Sequence, residues 1–182
     1  MLIPYSDAEL FFSCYIPLLD FVNKKKRIIK NLGEIRTRFD VTHEVGQKIS
    51  TNLWEDRSII DEFLEKKGST LSDEQKEIIS GFSRGIYTNF MIKQHLPGGS
   101  IFVSSNEKQV YLVKSILSEI SSLFKEDYLP MSVKTVLLPF KDYIITDGLF
   151  TVYKVTFGGN VRNELREVYL AAKKNGKIIE SF

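Results

Sequence analysis

Cysteine, histidine and long apolar runs are scarce in this 182-residue chain, and each scarcity removes a class of function. With Cys14 as the single cysteine, no intramolecular disulfide can form and no multi-thiolate metal site can be assembled. Its setting, Leu10-Phe11-Phe12-Ser13-Cys14-Tyr15-Ile16, predicts a small buried hydrophobe in a reducing cytoplasm, not a reactive thiolate. The two histidines, His43 and His95, have no metal-ligand spacing and are read as residues near a helix start and a helix end. No apolar stretch approaches the ~20 residues that span a bilayer. The N-terminal stretch has no basic leader and carries Asp7 and Glu9, so a signal peptide is not expected. Net charge is small as well: 25 basic residues face 23 acidic ones. That balance, with 43% apolar residues, excludes a disordered tail or a charge-saturated polyanion binder and implies a folded chain. No repeat or low-complexity segment is present.

What is there divides by period. Leu10, Phe11, Cys14, Tyr15, Leu18, Leu19 and Val22 recur at helical steps behind Ser6-Asp7-Ala8-Glu9, which has the form of a capping box, and Pro17 should kink that helix. A second helix is expected from about Thr42 to Lys67. A third is expected from the capping box Ser72-Asp73-Glu74-Gln75 through Phe90, ending at Pro97-Gly98-Gly99. Beyond Gly99 the period falls to two. Ser100 to Ser104 and Gln109 to Lys114 read as a hairpin, Ile116 to Leu123 as a short helix, and Val133 to Leu138 as a strand limited by Pro139. Asp147-Gly148 between Asp142–Thr146 and Leu149–Phe157 predicts a tight hairpin turn. Asn160 should cap a last helix reaching about Lys174. The expected fold is therefore α+β: N-terminal helices, then a mainly antiparallel sheet, then a C-terminal helix. A single domain over 1–182 is expected, with a possible subdivision into a helical part, 1–97, and a sheet-rich part, 98–182.

The run Val136-Leu137-Leu138-Pro139-Phe140-Lys141-Asp142-Tyr143-Ile144-Ile145-Thr146-Asp147-Gly148-Leu149 resembles a motif of uncharacterised bacterial proteins. In these a leucine-leucine-proline-phenylalanine strand leads into an isoleucine-rich strand ending in aspartate-glycine. Some carry a zinc motif like the C-terminal one of the SecA preprotein ATPase, which a chain with one cysteine cannot supply. The resemblance covers roughly Tyr87 to the end, supports the sheet assignment and implies no activity.

Three constellations could carry function. Lys24, Lys25, Lys26, Arg27, Lys30, Arg36 and Arg38 stand against Glu34 alone between Asn23 and Phe39. They form either a site for nucleic acid or another polyanion, or a solvated helix end suited to the negative pole of the first helix. Glu55 to Glu77 has the opposite sign, with eight acids and four bases, and could pair protomers or decorate exposed helices. Lys141, Asp142 and Asp147 are the enzyme candidates, because carboxylates at a sheet edge can hold a cation or act as acid and base. Asp147 also has a purely structural explanation in its turn. Gly98-Gly99-Ser100 lacks the Gly-Lys-Ser/Thr ending of a phosphate loop and precedes a strand, whereas Phe157-Gly158-Gly159-Asn160 does precede a helix but offers only two adjacent glycines, a weak signal for an anion. No metal or cofactor is expected. The reading that follows is a cytoplasmic module that binds a protein or polyanion partner without chemistry and could form oligomers. The alternatives are a small hydrolase or phosphoryl-acting enzyme at Asp142 to Asp147, and a nucleic-acid binder through residues 24–38.

Overall fold

Helical spacing of apolar residues in the first half of the chain gives four helices in the computed structural model, which describes residues 1–182. They are α1 (Tyr5–Lys26), α2 (His43–Glu55), α3 (Ser58–Lys67) and α4 (Asp73–Gly81). α1 packs against the other three through Phe11, Cys14, Tyr15, Leu18 and Val22, all buried. Phe11, Tyr15, Trp54 and Phe82 stack with ring centroids 5.0 to 6.5 Å apart. Each such contact adds about 0.5–1.5 kcal/mol to simple burial. The capping box at α4 forms as expected, with Ser72 Oγ accepting the Gln75 amide and Gln75 Oε1 accepting the Ser72 amide. The one expected at α1 does not. Pro4 precedes that helix with its φ fixed near helical values, so α1 starts two residues earlier, at Tyr5, and runs on through Pro17. The single helix expected over 42–67 is two, broken at Asp56-Arg57. There the Arg57 guanidinium turns away to donate to the carbonyls of Ser83 and Gly85.

The third helix also ends sooner than its periodicity suggests. After a 3₁₀ turn at Phe82–Arg84 the chain enters β1 (Ile86–Leu96). Ile86 and Phe90, four residues apart, satisfy a helical period and a strand period equally, and Gly85 marks the change. Pro97-Gly98 is thus a two-residue hairpin turn to β2 (Gly99–Ser104), followed by β3 (Val110–Lys114). A four-residue helix, α5 (Ile120–Leu123), precedes β4 (Met131–Phe140) and β5 (Tyr143–Ile145). β6 (Thr151–Tyr153), α6 (Gly159–Lys174) and β7 (Ile178–Ile179) complete the chain. α6 is capped at Gly158, not Asn160.

The sheet is mixed. β1–β2, β2–β3, β1–β4, β4–β5 and β4–β6 pair antiparallel, whereas β3–β5 and β3–β7 pair parallel. Because β1 pairs with both β2 and β4, and β5 with both β3 and β4, the pairings close into a five-stranded ring. Alternation then sorts the side chains. Phe90, Ile92, Phe102, Tyr111, Val113, Val133, Leu137 and Ile144 form one cluster. Met91, Ile101, Val103 and Val110 point the other way and are covered by Leu165 and Tyr169 of α6. The hairpin expected at Asp147-Gly148 lies elsewhere: Lys141-Asp142 is the two-residue turn between β4 and β5, with Lys141 at φ 52°. Asp147-Gly148 carries the chain from β5 to β6, both on the same edge of β4. The chain divides into two compact units, Pro4–Gly85 and Ile86–Phe182 with Met1–Ile3. No helix is long and apolar enough to cross a membrane.

Two outcomes test this packing. Cys14 is fully buried, and burial, opposed by a hydrogen bond from Ser13 and reinforced by Glu74, pushes its thiol up to about 11. At pH 8 only about one thiol in a thousand is then ionised. A disulfide reagent should leave the folded protein unmodified for hours and label one equivalent within minutes in denaturant. Gly99 has φ +149°, and a Cβ there would stand 2.6 Å from the Val113 carbonyl oxygen. Gly99→Ala should lower the urea-unfolding free energy by about 2–3 kcal/mol.

Candidate binding surface on the helical unit

The seven cations of the basic stretch occupy the end of α1 and the connection to α2. α1 stops where Arg27 turns left-handed (φ 52°, ψ 44°). Asn23, buried in the last turn, takes both main-chain polar groups of Ile29: its Oδ1 accepts the amide at 2.8 Å and its Nδ2 donates to the carbonyl at 3.4 Å. One turn back, Asp20 accepts the Ile35 amide at 2.9 Å, and Ile35 itself is buried. Asp40 accepts the amides of Arg36 and Thr37 at 2.8 and 2.7 Å. Those amides, Arg36 first, hold the Asp40 carboxyl below its usual range. A segment rich in lysine and arginine is thereby tied down at four points along its length.

Neutralisation accompanies the tethering. Lys24 pairs with Asp20 at 2.6 Å and reaches Glu34 at 3.9 Å. Lys25 pairs with Glu62. Lys26 pairs with Asp56 at 2.9 Å and donates to the Asn52 carbonyl, and Arg36 pairs with Glu34 at 2.7 Å. Two of these partners, Asp56 and Glu62, come from the acidic stretch, so the opposite charges read in the sequence meet inside one unit. Arg27, Lys30 and Arg38 have no carboxylate partner. Arg38 lies over Phe39 at 4.5 Å and Phe12 at 5.6 Å, within cation–π reach. Residues 4–85 hold thirteen basic and fourteen acidic side chains, so this unit carries no positive excess.

Beside the tethered segment lies an open cleft of about 550 Å³. Ile16, Pro17, Phe21, Ile35, Phe63 and Leu71 supply its apolar surface, and Asp20, Lys24, Glu34, Arg36, Lys67 and Gln75 its polar one. Gln75 Nε2 donates to Ser13 Oγ at 3.0 Å. Asp20 pairs with Lys24 and Glu34 with Arg36 across its rim, whereas Lys67 has no carboxylate partner, so charged and apolar surface stand side by side.

The other sequence candidates are not brought together. Asp142 is exposed in the β4–β5 turn beside Lys141, whereas Asp147 lies beyond the far end of β5 and is buried. Five residues of near-extended chain put them on the order of 15 Å apart, too far to act on one bond. Asp147 Oδ1 accepts the Leu149 amide at 3.1 Å. Thr135 donates to the Leu149 carbonyl at 3.0 Å and lies 2.8 Å from the Thr146 hydroxyl, completing the turn. His43 opens α2, but His95 is in β1 and not at a helix end. Its Nε2 lies 2.7 Å from the Phe124 carbonyl oxygen and its Nδ1 2.7 Å from Ser100 Oγ. A carbonyl only accepts, so Nε2 carries the proton. No group of three or more His, Cys, Asp or Glu side chains is gathered to hold a metal. Sequence reasoning missed Asp20, Asn23 and Phe39, the first two of which lie in the apolar run of α1. Asp20 and Asn23 at i, i+3 within that run were the signal available. No protein family, curated protein or solved structure matches this chain.

Removing the Asp20 carboxylate strands the Ile35 amide. Asp20→Ala should cost about 1–3 kcal/mol in chemical denaturation and expose residues 27–42 to trypsin. The Asp40 tie has a pH signature. A carboxyl held low in the folded state stabilises fully above the unfolded value and loses that contribution as pH falls through the folded one. Trypsin-independent probes such as amide exchange at Thr37 should therefore show protection from neutral pH down to about pH 4 and fading below it.

Proposed function

We propose that this protein is a non-enzymatic interaction module that engages another macromolecule through the cleft and tethered segment of its helical unit. The observation that carries this reading is the mixed apolar and charged cleft of about 550 Å³ bordered by Asp20, Lys24, Glu34 and Arg36, together with an aromatic ring on the same connecting segment as Glu34 and Arg36, Phe39, that is 79% exposed. Aromatic and arginine side chains dominate binding hot spots, and here both are pre-set: Asp40 and Thr37 fix the turn that displays Arg38 and Phe39. A partner therefore meets a surface that has little ordering left to do. A protein partner fits better than a polyanion, since four of the seven cations already face carboxylates. The hydrolase alternative draws no support from carboxylates separated along β5.

Two measurements test it. A photoreactive phenylalanine analogue at position 39, in cells of the source organism, should give a discrete protein crosslink. That crosslink should be nuclease-resistant and lost with Arg38→Glu. A nuclease-sensitive crosslink, or one unaffected by Arg38→Glu, contradicts the reading. In vitro, a labelled 20-nucleotide oligothymidylate should bind no tighter than the ordinary non-specific range of about 10⁻⁴–10⁻⁶ M at physiological salt. Replacing Lys24, Lys25, Lys26 and Arg27 with alanine should change that little.

A further inference from the structure

Two strands of the sheet pair along one edge only. β1 to β5 each have neighbours on both sides, whereas β6 pairs with β4 alone and β7 with β3 alone. An open edge is a row of main-chain donors and acceptors able to take a further strand. β6 is exposed along its three residues. β7 differs, because it runs beside an open groove of about 600 Å³. Val110, Ile178 and Ile179 line its strand side, and Val168, Ala171 and Ala172 line its helix side. Lys108 and Lys177 also line it; Lys108 pairs with Glu164 at 3.0 Å, and Lys177 has no carboxylate partner. Charge points the same way. Residues 154–177 hold six basic and two acidic side chains, so the positive excess that the helical unit lacks is concentrated around α6.

We propose that this groove binds an extended, acidic segment of a partner protein, added as a strand on the free edge of β7. Main-chain hydrogen bonds from the edge give such a segment its extended form. Alternate apolar side chains enter the groove between β7 and α6, and its carboxylates face Lys177. A helical ligand would leave the β7 edge unused. The proposal is independent of the cleft on the helical unit, and its test separates the two.

Random 12-residue peptides displayed on phage are selected against the full chain, and the enriched peptide is synthesised and measured by fluorescence anisotropy. The expected consensus alternates apolar residues with Asp or Glu. Ala171 is exposed, so Ala171→Trp fills the groove without entering the core and should weaken binding at least tenfold with an unchanged Tm. Lys177→Glu should weaken it similarly and lose its salt dependence, while Val152→Lys, on the β6 edge, should leave it intact. Each of these results overturns the proposal: no enriched sequence, a consensus without acidic residues, binding that survives Ala171→Trp, or binding abolished by Val152→Lys. Loss on Phe39→Ala would place the peptide on the helical unit, ending this proposal and leaving the previous one standing. An oligothymidylate that outcompetes the peptide in a Lys177-dependent manner would assign the basic surface to nucleic acid instead.

Discussion

Asp20 and Asn23, three residues apart on α1, decide what becomes of the most highly charged segment in the chain. Both are polar side chains on a helix face that is otherwise apolar, and both spend their oxygens on main-chain amides, those of Ile35 and Ile29. Without those acceptors the amides of Ile29 and Ile35 would need water, and the buried position of Ile35 would be lost. With them, Glu34 is brought beside Lys24, while the packing of α1 on α2 and α3 sets Lys26 beside Asp56 and Lys25 beside Glu62. A run that looks like a free basic arm becomes a charge-compensated edge of a cleft. Exposed ion pairs contribute little stability individually, so they account for the surface's charge pattern, and the amide bonds account for its shape.

The sheet unit rests on a different constraint, the length of β1. Its eleven residues let it pair with β4 along Ile86–Ile92 and with β2 along Phe90–Leu96, with an irregularity between Ile92 and Gln94 where the strand changes direction. That double pairing closes the ring. It also explains why β2, β3 and the middle of β1 place apolar residues on both faces: one face joins the cluster around Phe90 and the other is covered by α6. Closure removes most open edges and leaves the two short ones at β6 and β7.

Much of this was legible in the amino-acid sequence, and the failures have definite causes. The α+β class, the β2–β3 hairpin, the capping box at Ser72 and a last helix ending at Lys174 followed from period and cap chemistry. Ile86 and Phe90 misled because a four-residue spacing belongs to both periods. Asp147-Gly148 misled because local turn chemistry names a turn but not the strands it joins, and β5 was claimed by β3. The basic stretch was visible as charge, but its partners lie up to 37 residues away, at Glu62, beyond any local pattern. The cleft was invisible for the same reason, since its surface is drawn from α1, the following connection, α3 and the residues around α4.

The central claim is that residues 27–42 form a fixed surface and not a flexible basic arm. Native-state amide hydrogen exchange, read residue by residue, addresses this directly. The amides of Ile29 and Ile35, which lie outside any helix or strand, should exchange at least a hundredfold more slowly than in an unstructured chain, and Asp20→Ala should release Ile35. Exchange of both at unstructured rates in the unaltered protein would contradict the account.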